Sequence, residues 1–236
     1  LNLYAYCLRV EGDPPPPRDL TGIGDIGVTL LEEAGIGAWV APIDDPGNPT
    51  PDLLARHDRV VRNALRTATP LPIRYRSAMF RDEDHAREAL RDGAPGFLEA
   101  LERVVGKVEV GLRVSWPEGN PPGADAGDAP VAAHVAHPQA GRGRAYLEAR
   151  KREIDRAEGA RQAAGAALDA VEAALALNEV ESVRTLLPEP DVAGILAHLV
   201  HRDGLAGYRE RVEAARTALP DYVIALTGPW APYSFV

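Results

Sequence analysis

The sequence predicts an α+β protein of two domains, residues 1–116 and 141–236, joined by a linker at 117–140. Three observations carry that expectation. Pro117, Pro121, Pro122, Gly123, Gly127, Pro130 and Pro138 crowd one stretch with no apolar periodicity, and long structureless segments inside a single domain are uncommon. Before that stretch, strand and helix signals alternate. After it, the signals run helix, strand, strand, helix, strand, an order that suits helices packed on an antiparallel sheet.

The elements follow in chain order. Leu3 to Val10 is apolar on both faces, as a strand in the middle of a sheet requires. Asp13 to Pro17 holds four consecutive prolines and is a stiff extended loop. Ile36 to Ile43 is a second strand, stopped by Asp44-Asp45-Pro46-Gly47. Thr50 offers a capping hydroxyl and Pro51 occupies the first helical position, where a missing N–H costs nothing. Leu53, Leu54, His57, Val60, Val61, Ala64 and Leu65 then recur at helical spacing. Leu71 to Phe80 is extended, because Pro70 and Pro72 exclude a helix. Asp82-Glu83-Asp84 puts negative charge at the start of the next helix, where the backbone dipole favours it. Gly93, Pro95 and Gly96 are expected to break that helix before Phe97, Leu98, Leu101, Val104 and Val105 resume it. Lys107 to Trp116 alternates most cleanly, with Val108, Val110, Leu112, Val114 and Trp116 on one face.

Beyond the linker, Arg144 to Leu177 forms a long helix. Leu147, Ile154, Leu168 and Leu175 share one heptad position, interrupted by Arg161, and Ala157, Ala164 and Val171 line the next. Such a small-residue seam packs on its own protein or on a partner. Val180–Leu187 and Val192–Val200 are strands. Asp203 caps a short helix that turns Leu205, Tyr208, Val212, Ala215 and Leu219 inward. Asp221 to Thr227 is a final strand.

Composition excludes several function classes. The 236 residues carry 26 basic and 35 acidic side chains, a formal charge of −9, with no basic cluster to suit nucleic acid. No run of about 18 apolar residues can span a bilayer, so no lipid-membrane partner is expected. Leu1-Asn2-Leu3-Tyr4 shows no basic region or cleavage site, and a cytoplasmic location is expected. Cys7 is the only cysteine, which excludes a disulfide framework or a cysteine-rich zinc site.

No constellation of catalytic type stands out. Gly22-Ile23-Gly24-Asp25-Ile26-Gly27 matches the dinucleotide-binding pattern to the letter. It lacks both a strand running directly into the glycines and a crossover helix behind them, so it reads as a glycine-rich turn. His134 and His137 stand near Asp125 and Asp128 in the linker, too few ligands for a metal site. His198 and His201 point to opposite faces of a strand, His57 reads as a hydrogen-bonded core histidine, and His85 sits in an exposed acidic turn. Cys7 in an apolar strand is an inert thiol. No metal, nucleotide or flavin is expected.

The last residues behave differently. Thr227-Gly228-Pro229-Trp230-Ala231-Pro232-Tyr233-Ser234-Phe235-Val236 is uncharged in its side chains, apolar and stiffened by proline, unlike a free tail. It either folds back to seal its own domain or presents an aromatic anchor to another protein. A divided role is expected, with Trp230 buried and Tyr233 and Phe235 nearer the surface.

This ending resembles the T-G-P-W-P-P-Y-S-F signature of the gas vesicle accessory proteins GvpF and GvpL. Leu3-Tyr4-Ala5-Tyr6 resembles that family's opening Y-x-Y strand. Leu71-Pro72-Ile73-Arg74-Tyr75 with Phe80 resembles its L-P-[VI]-R-F-G-T-x-F segment, and Gly106 to Val114, including Glu109, its G-K-x-E-[VL] strand. Gly143-Arg144-Ala145-Tyr146-Leu147 matches the opening of its long helix. Ala231 replaces the usual second proline, and Arg76-Ser77 stands where Gly-Thr is customary. The resemblance implies two domains, each a modified ferredoxin-like fold. It also implies a non-enzymatic role in assembling gas vesicles, in contact with the hydrophobic shell protein and other accessory proteins. Leu71, Pro72, Arg74 and Glu109 are then motif positions, and Gly228, Pro229, Trp230, Pro232, Tyr233 and Phe235 the candidate partner-binding or docking residues. A ferredoxin-like regulatory module that binds a small molecule is the alternative.

Overall fold

A computed structural model describes residues 2–117, 142–177, 180–187 and 191–236. The linker assigned to 117–140 lies, apart from Pro117, outside these residues, as do His134 and His137.

The first sheet is built on β1 (Leu3–Val10), which pairs antiparallel with β3 (Ile36–Pro42) on one side. On the other it takes two short strands, β4 (Leu71–Pro72) and β5 (Met79–Phe80). Having neighbours on both edges and layers on both faces is why Tyr4 to Leu8 are all buried. β2 (Thr29–Glu33), a segment assigned to no element in the sequence, pairs with β3 through a turn at Ala34-Gly35. Its burial is confined to Leu31, so its apolar signal is faint.

Helix α1 (Pro51–Leu65) starts as its sequence demands. Thr50 Oγ1 accepts the Leu53 N–H at 3.3 Å, and Pro51 opens the helix. His57, Val60, Val61, Ala64 and Leu65 form its buried stripe and pack toward β1.

Helix α2 (Glu83–Val104) is capped by Asp82, which accepts the His85 N–H at 2.8 Å. It is continuous for 22 residues, which overturns the break expected at Gly93, Pro95 and Gly96. Pro95 removes one backbone donor, a loss of about 3 kcal/mol in a helix interior. Burial of Ala86, Leu90, Ala94, Leu101 and Val104 along one face offsets it. Gly93 also has a packing reason: a Cβ there would collide with the Phe97 ring one turn later.

The second sheet has the order β7-β8-β6-β9, where β6 is Lys107–Ser115, β7 Glu181–Leu186, β8 Val192–His201 and β9 Val223–Trp230. Helix α3 (Arg142–Leu175) lies between β6 and β7, and α4 (Leu205–Ala218) between β8 and β9. The protein is thus a mixed α/β chain with two antiparallel sheets and four helices among the described residues. Contacts gather the described chain into two units. One comprises residues up to Val110, His198–Ala206 and Gly228–Val236, the other Gly111–Ala197 and Gly207–Thr227.

In the second unit only the C-terminal half of the α3 seam is covered. Ala164, Leu168, Val171 and Leu175 are buried, while Leu147 and Ile154 on the same stripe stay exposed. Gly194 of β8 lets α3 approach, since a Cβ there would lie 3.0 Å from the Leu168 side chain. Arg184 on β7 ties back to Asp169 and Glu172 of α3, and Arg211 of α4 donates to the Ala176 carbonyl at 3.0 Å at the end of α3.

Candidate functional site

The distinctive residues of the first unit converge on its C-terminal segment. β9 continues through Trp230, three residues past its expected end at Thr227. Gly228 is in the left-handed region at φ 102°, and a Cβ on it would lie 2.9 Å from the Glu109 carbonyl oxygen. Both conditions favour glycine, so Gly228→Ala is expected to destabilise the fold by about 1–3 kcal/mol, read by chemical denaturation. After Trp230 the chain turns, with the Phe235 N–H donating to the Pro232 carbonyl at 3.1 Å.

Three side chains hold this turn. The Glu109 carboxylate accepts twice from Ser234, from the backbone N–H at 2.8 Å and the hydroxyl at 2.9 Å. Arg103 Nη1 donates to the Phe235 carbonyl at 3.1 Å. Arg74 Nη2 reaches the Tyr233 carbonyl at 3.4 Å, a long contact. Hydrogen bonds to a charged group are about twice as strong as neutral ones, which makes the Glu109 pair the main polar clasp.

The expected division of the aromatic rings does not hold for Phe235 and Trp230. Phe235 is buried at 5 % exposure, Ala231 and Pro232 are also buried, and Tyr233 is half-buried. Trp230 is only half-buried, with the Arg62 guanidinium 5.8 Å from its ring centre. The reason lies in the strand: Trp230 ends β9, and the turn that follows carries Phe235 inward. Pro229 and Gly228 are exposed.

The Leu71–Phe80 segment is pinned from beneath. Leu71 and Pro72 are buried and pair with Leu8 and Cys7, and the Ile73 N–H donates to the Tyr6 carbonyl at 2.9 Å. His57 Nε2 donates to the Ile73 carbonyl at 2.8 Å, leaving Nδ1 to accept the Tyr4 hydroxyl at 2.8 Å. Tyr4 Oη in turn accepts the Arg76 N–H at 3.3 Å. Arg76 itself sits at φ 64°, so the turn that glycine makes in the resembled motif is here made by arginine. Its guanidinium anchors on the Gly47 carbonyl and Asn48. Burial pushes His57 down to about 4, so at neutral pH the ring is uncharged.

Other candidate residues are structural. Gly22 to Gly27 closes a tight turn bridged at Thr21 and Gly27. The Ile23 N–H there donates to Tyr6 Oη at 2.9 Å, and a Cβ on Gly22 would collide with that hydroxyl. No strand runs into these glycines. Cys7 is fully buried, its thiol pushed up to about 12 by desolvation. His198 is buried and His201 exposed on the opposite face. His85 is half-buried rather than in an open turn, its ring edge-on to Phe80 at 5.8 Å. Among the described residues no cluster of His, Cys, Asp and Glu is arranged to hold a metal ion. No described helix is long and apolar enough to cross a membrane.

Beside the clasp lies an apolar cavity of about 620 Å³, walled by β1, the Leu71–Phe80 segment and α2, with Val236 contributing to its lining. Sequence reading missed the cavity, because no periodicity reports empty space between a helix and a broken strand. It also missed Arg103, whose only signal is a cation on the last turn of α2.

The fold and site thus define a mixed α/β protein whose distinctive residues hold its own final turn in place. Residues 2–236 match the family described as Gas vesicle synthesis protein GvpL/GvpF. The chain is 32 % identical to Gas vesicle protein L of Streptomyces sp. (strain CB03234), over 98 % of this chain and 91 % of that protein. It is 27 % identical to Gas vesicle protein F of the same strain, over the full length of both. Among solved structures it is similar to GvpF from Anabaena sp. PCC7120, with a TM-score of 0.66 and 18 % identity over 99 % of this chain and 95 % of that one. GvpF from Microcystis aeruginosa gives a TM-score of 0.67 and 17 % identity over 99 % and 98 %. The chain belongs to the GvpL/GvpF family of gas vesicle proteins.

Proposed function

We propose that this chain is a non-enzymatic accessory protein of gas vesicle assembly, acting in the cytoplasm through contact with the hydrophobic shell protein and with other accessory proteins. The carrying observation is the family match over nearly the whole chain, joined to the ordered C-terminal turn. In this reading the partner surface is shaped by that turn. Phe235 and the Glu109 clasp make it rigid, and half-buried Trp230, flanked by Pro229 and Arg62, is the group offered outward. Trp and Arg carry a large share of binding energy at protein interfaces, and a preformed segment loses little entropy on binding. The second sheet and its helices run β6-α3-β7-β8-α4-β9 in the order β7-β8-β6-β9, which supports a ferredoxin-like reading of that half.

The test is capture of the shell protein by the immobilised full chain. Retention that resists moderate salt supports the assembly role, since the contact is mainly apolar. Absence of retention at any salt concentration, with the chain folded, counts against it.

A further inference from the structure

We propose that the proline run at 14–17 is a preformed docking ridge for a protein domain whose groove is lined by Trp and Tyr rings, the kind of site that reads polyproline II segments. The backbone here is dictated covalently. Each proline holds φ at about −65°, and each residue that precedes a proline is driven out of the helical region. Asp13, Pro14, Pro15 and Pro16 all precede one, so the run is a turn of left-handed polyproline II helix. At about three residues per turn and about 3.1 Å per residue, Pro14 and Pro17 fall on one edge about 9 Å apart. Pro14, Pro15 and Pro17 are exposed, and only Pro16 is turned partly inward.

The run is held from beneath by Arg9, a cation of β1 that is only 1 % exposed. Arg9 Nη1 donates to the Pro14 carbonyl at 2.8 Å, and Nη2 to Thr67 Oγ1 at 3.0 Å. Nε stands 3.4 Å from the Asp13 carboxylate, and the guanidinium lies 5.2 Å from the Trp39 ring centre. A buried ion pair often adds no stability over apolar residues of similar volume, so what Arg9 supplies is the position of Asp13 and Pro14. At the far end the Leu20 N–H donates to the Pro17 carbonyl at 3.0 Å, and Leu20 is buried. Fixed at both ends, the ridge loses little entropy when a partner closes on it.

The chemistry on offer is ring edges and acceptors without a donor. Proline has no N–H, and among the described residues the Pro15 and Pro16 carbonyls have no hydrogen-bond partner. Trp and Tyr complement both features, with a flat apolar face for the proline rings and an N–H or O–H for the carbonyls. The flanking charges are mixed in sign. Asp13 is held by Arg9, while Arg18 and Asp19 are both exposed, so they select no charged groove. This surface is separate in sequence from the C-terminal turn, and the inference does not depend on contact with the shell protein.

The experiment is a nuclear magnetic resonance titration of two isotope-labelled readers, a WW domain and an SH3 domain, with the unlabelled full chain. Saturable shifts confined to the ring-lined groove of at least one reader are expected. Pro14→Ala with Pro17→Ala, both at exposed positions, should weaken that binding at least tenfold, with circular dichroism confirming the fold. Arg9→Met keeps all four prolines but frees their anchor, and should weaken it at least threefold. Absence of binding by both readers overturns the proposal, as does unchanged binding by the folded double proline variant. Equal binding by folded Arg9→Met overturns the claim that the ridge is preformed.

Discussion

Replacing Phe235 with alanine is expected to cost about 3–5 kcal/mol of stability, the usual loss for emptying a buried phenylalanine site. The ring is 5 % exposed at the end of a turn whose polar anchors are external to it: Glu109 on Ser234 and Arg103 on the Phe235 carbonyl. Those anchors can re-form in the variant, so the loss measures burial of the ring. By contrast, Trp230→Ala should cost less than Phe235→Ala, because the indole keeps part of its surface in water and the Arg62 side chain over it is exposed. Urea denaturation of the two variants checks the ordering. A Phe235→Ala loss below that of Trp230→Ala would contradict the arrangement of the turn.

The second large effect is a loss of stability in mild acid that passes through His57. An unfolded histidine takes up a proton near 6.5, whereas burial holds the folded ring down to about 4. Between these values the unfolded chain binds a proton that the native chain refuses, so stability falls as pH falls through that window. The difference of pKa corresponds to about 3 kcal/mol when fully expressed below pH 4. The rings around His57 belong to Tyr4, Tyr6 and Tyr75, none of which is charged in this range. His57→Gln retains a donor for the Ile73 carbonyl and an acceptor for the Tyr4 hydroxyl but cannot titrate. Its stability relative to the wild type should therefore rise by about 3 kcal/mol between pH 7 and pH 4. Parallel pH profiles for the two proteins would show that His57 is not the group responsible.

These sites show what a sequence can and cannot display. Lys107–Ser115 alternates strictly because one face is buried and the other is not, and Thr50-Pro51 and Asp82 are local capping chemistry that needs no tertiary information. His57 as a hydrogen-bonded core residue was legible from its place in an apolar stripe. The continuity of α2 was not, because Gly93 and Pro95 are breakers by propensity and only the buried face that overrides them explains the helix. The exchange of Trp230 and Phe235 has a similar origin: both are aromatic and near the end, and only the turn after β9 decides which faces inward. Glu109 meets Ser234 across 125 positions and Arg74 meets Tyr233 across 159, which no spacing rule reports. The cavity is absent from the sequence altogether, since it is a property of elements placed around it.

The central claim is that the ordered C-terminal turn presents Trp230 to the vesicle shell protein, and one measurement addresses it most directly. Capture of the shell protein is compared between the wild type and Trp230→Ala, with the denaturation midpoint of each recorded alongside. At least a tenfold loss of capture by Trp230→Ala is predicted, with a smaller drop in midpoint than Phe235→Ala gives, because the indole is less buried than the Phe235 ring. Capture equal to the wild type, in a variant that remains folded, would contradict it.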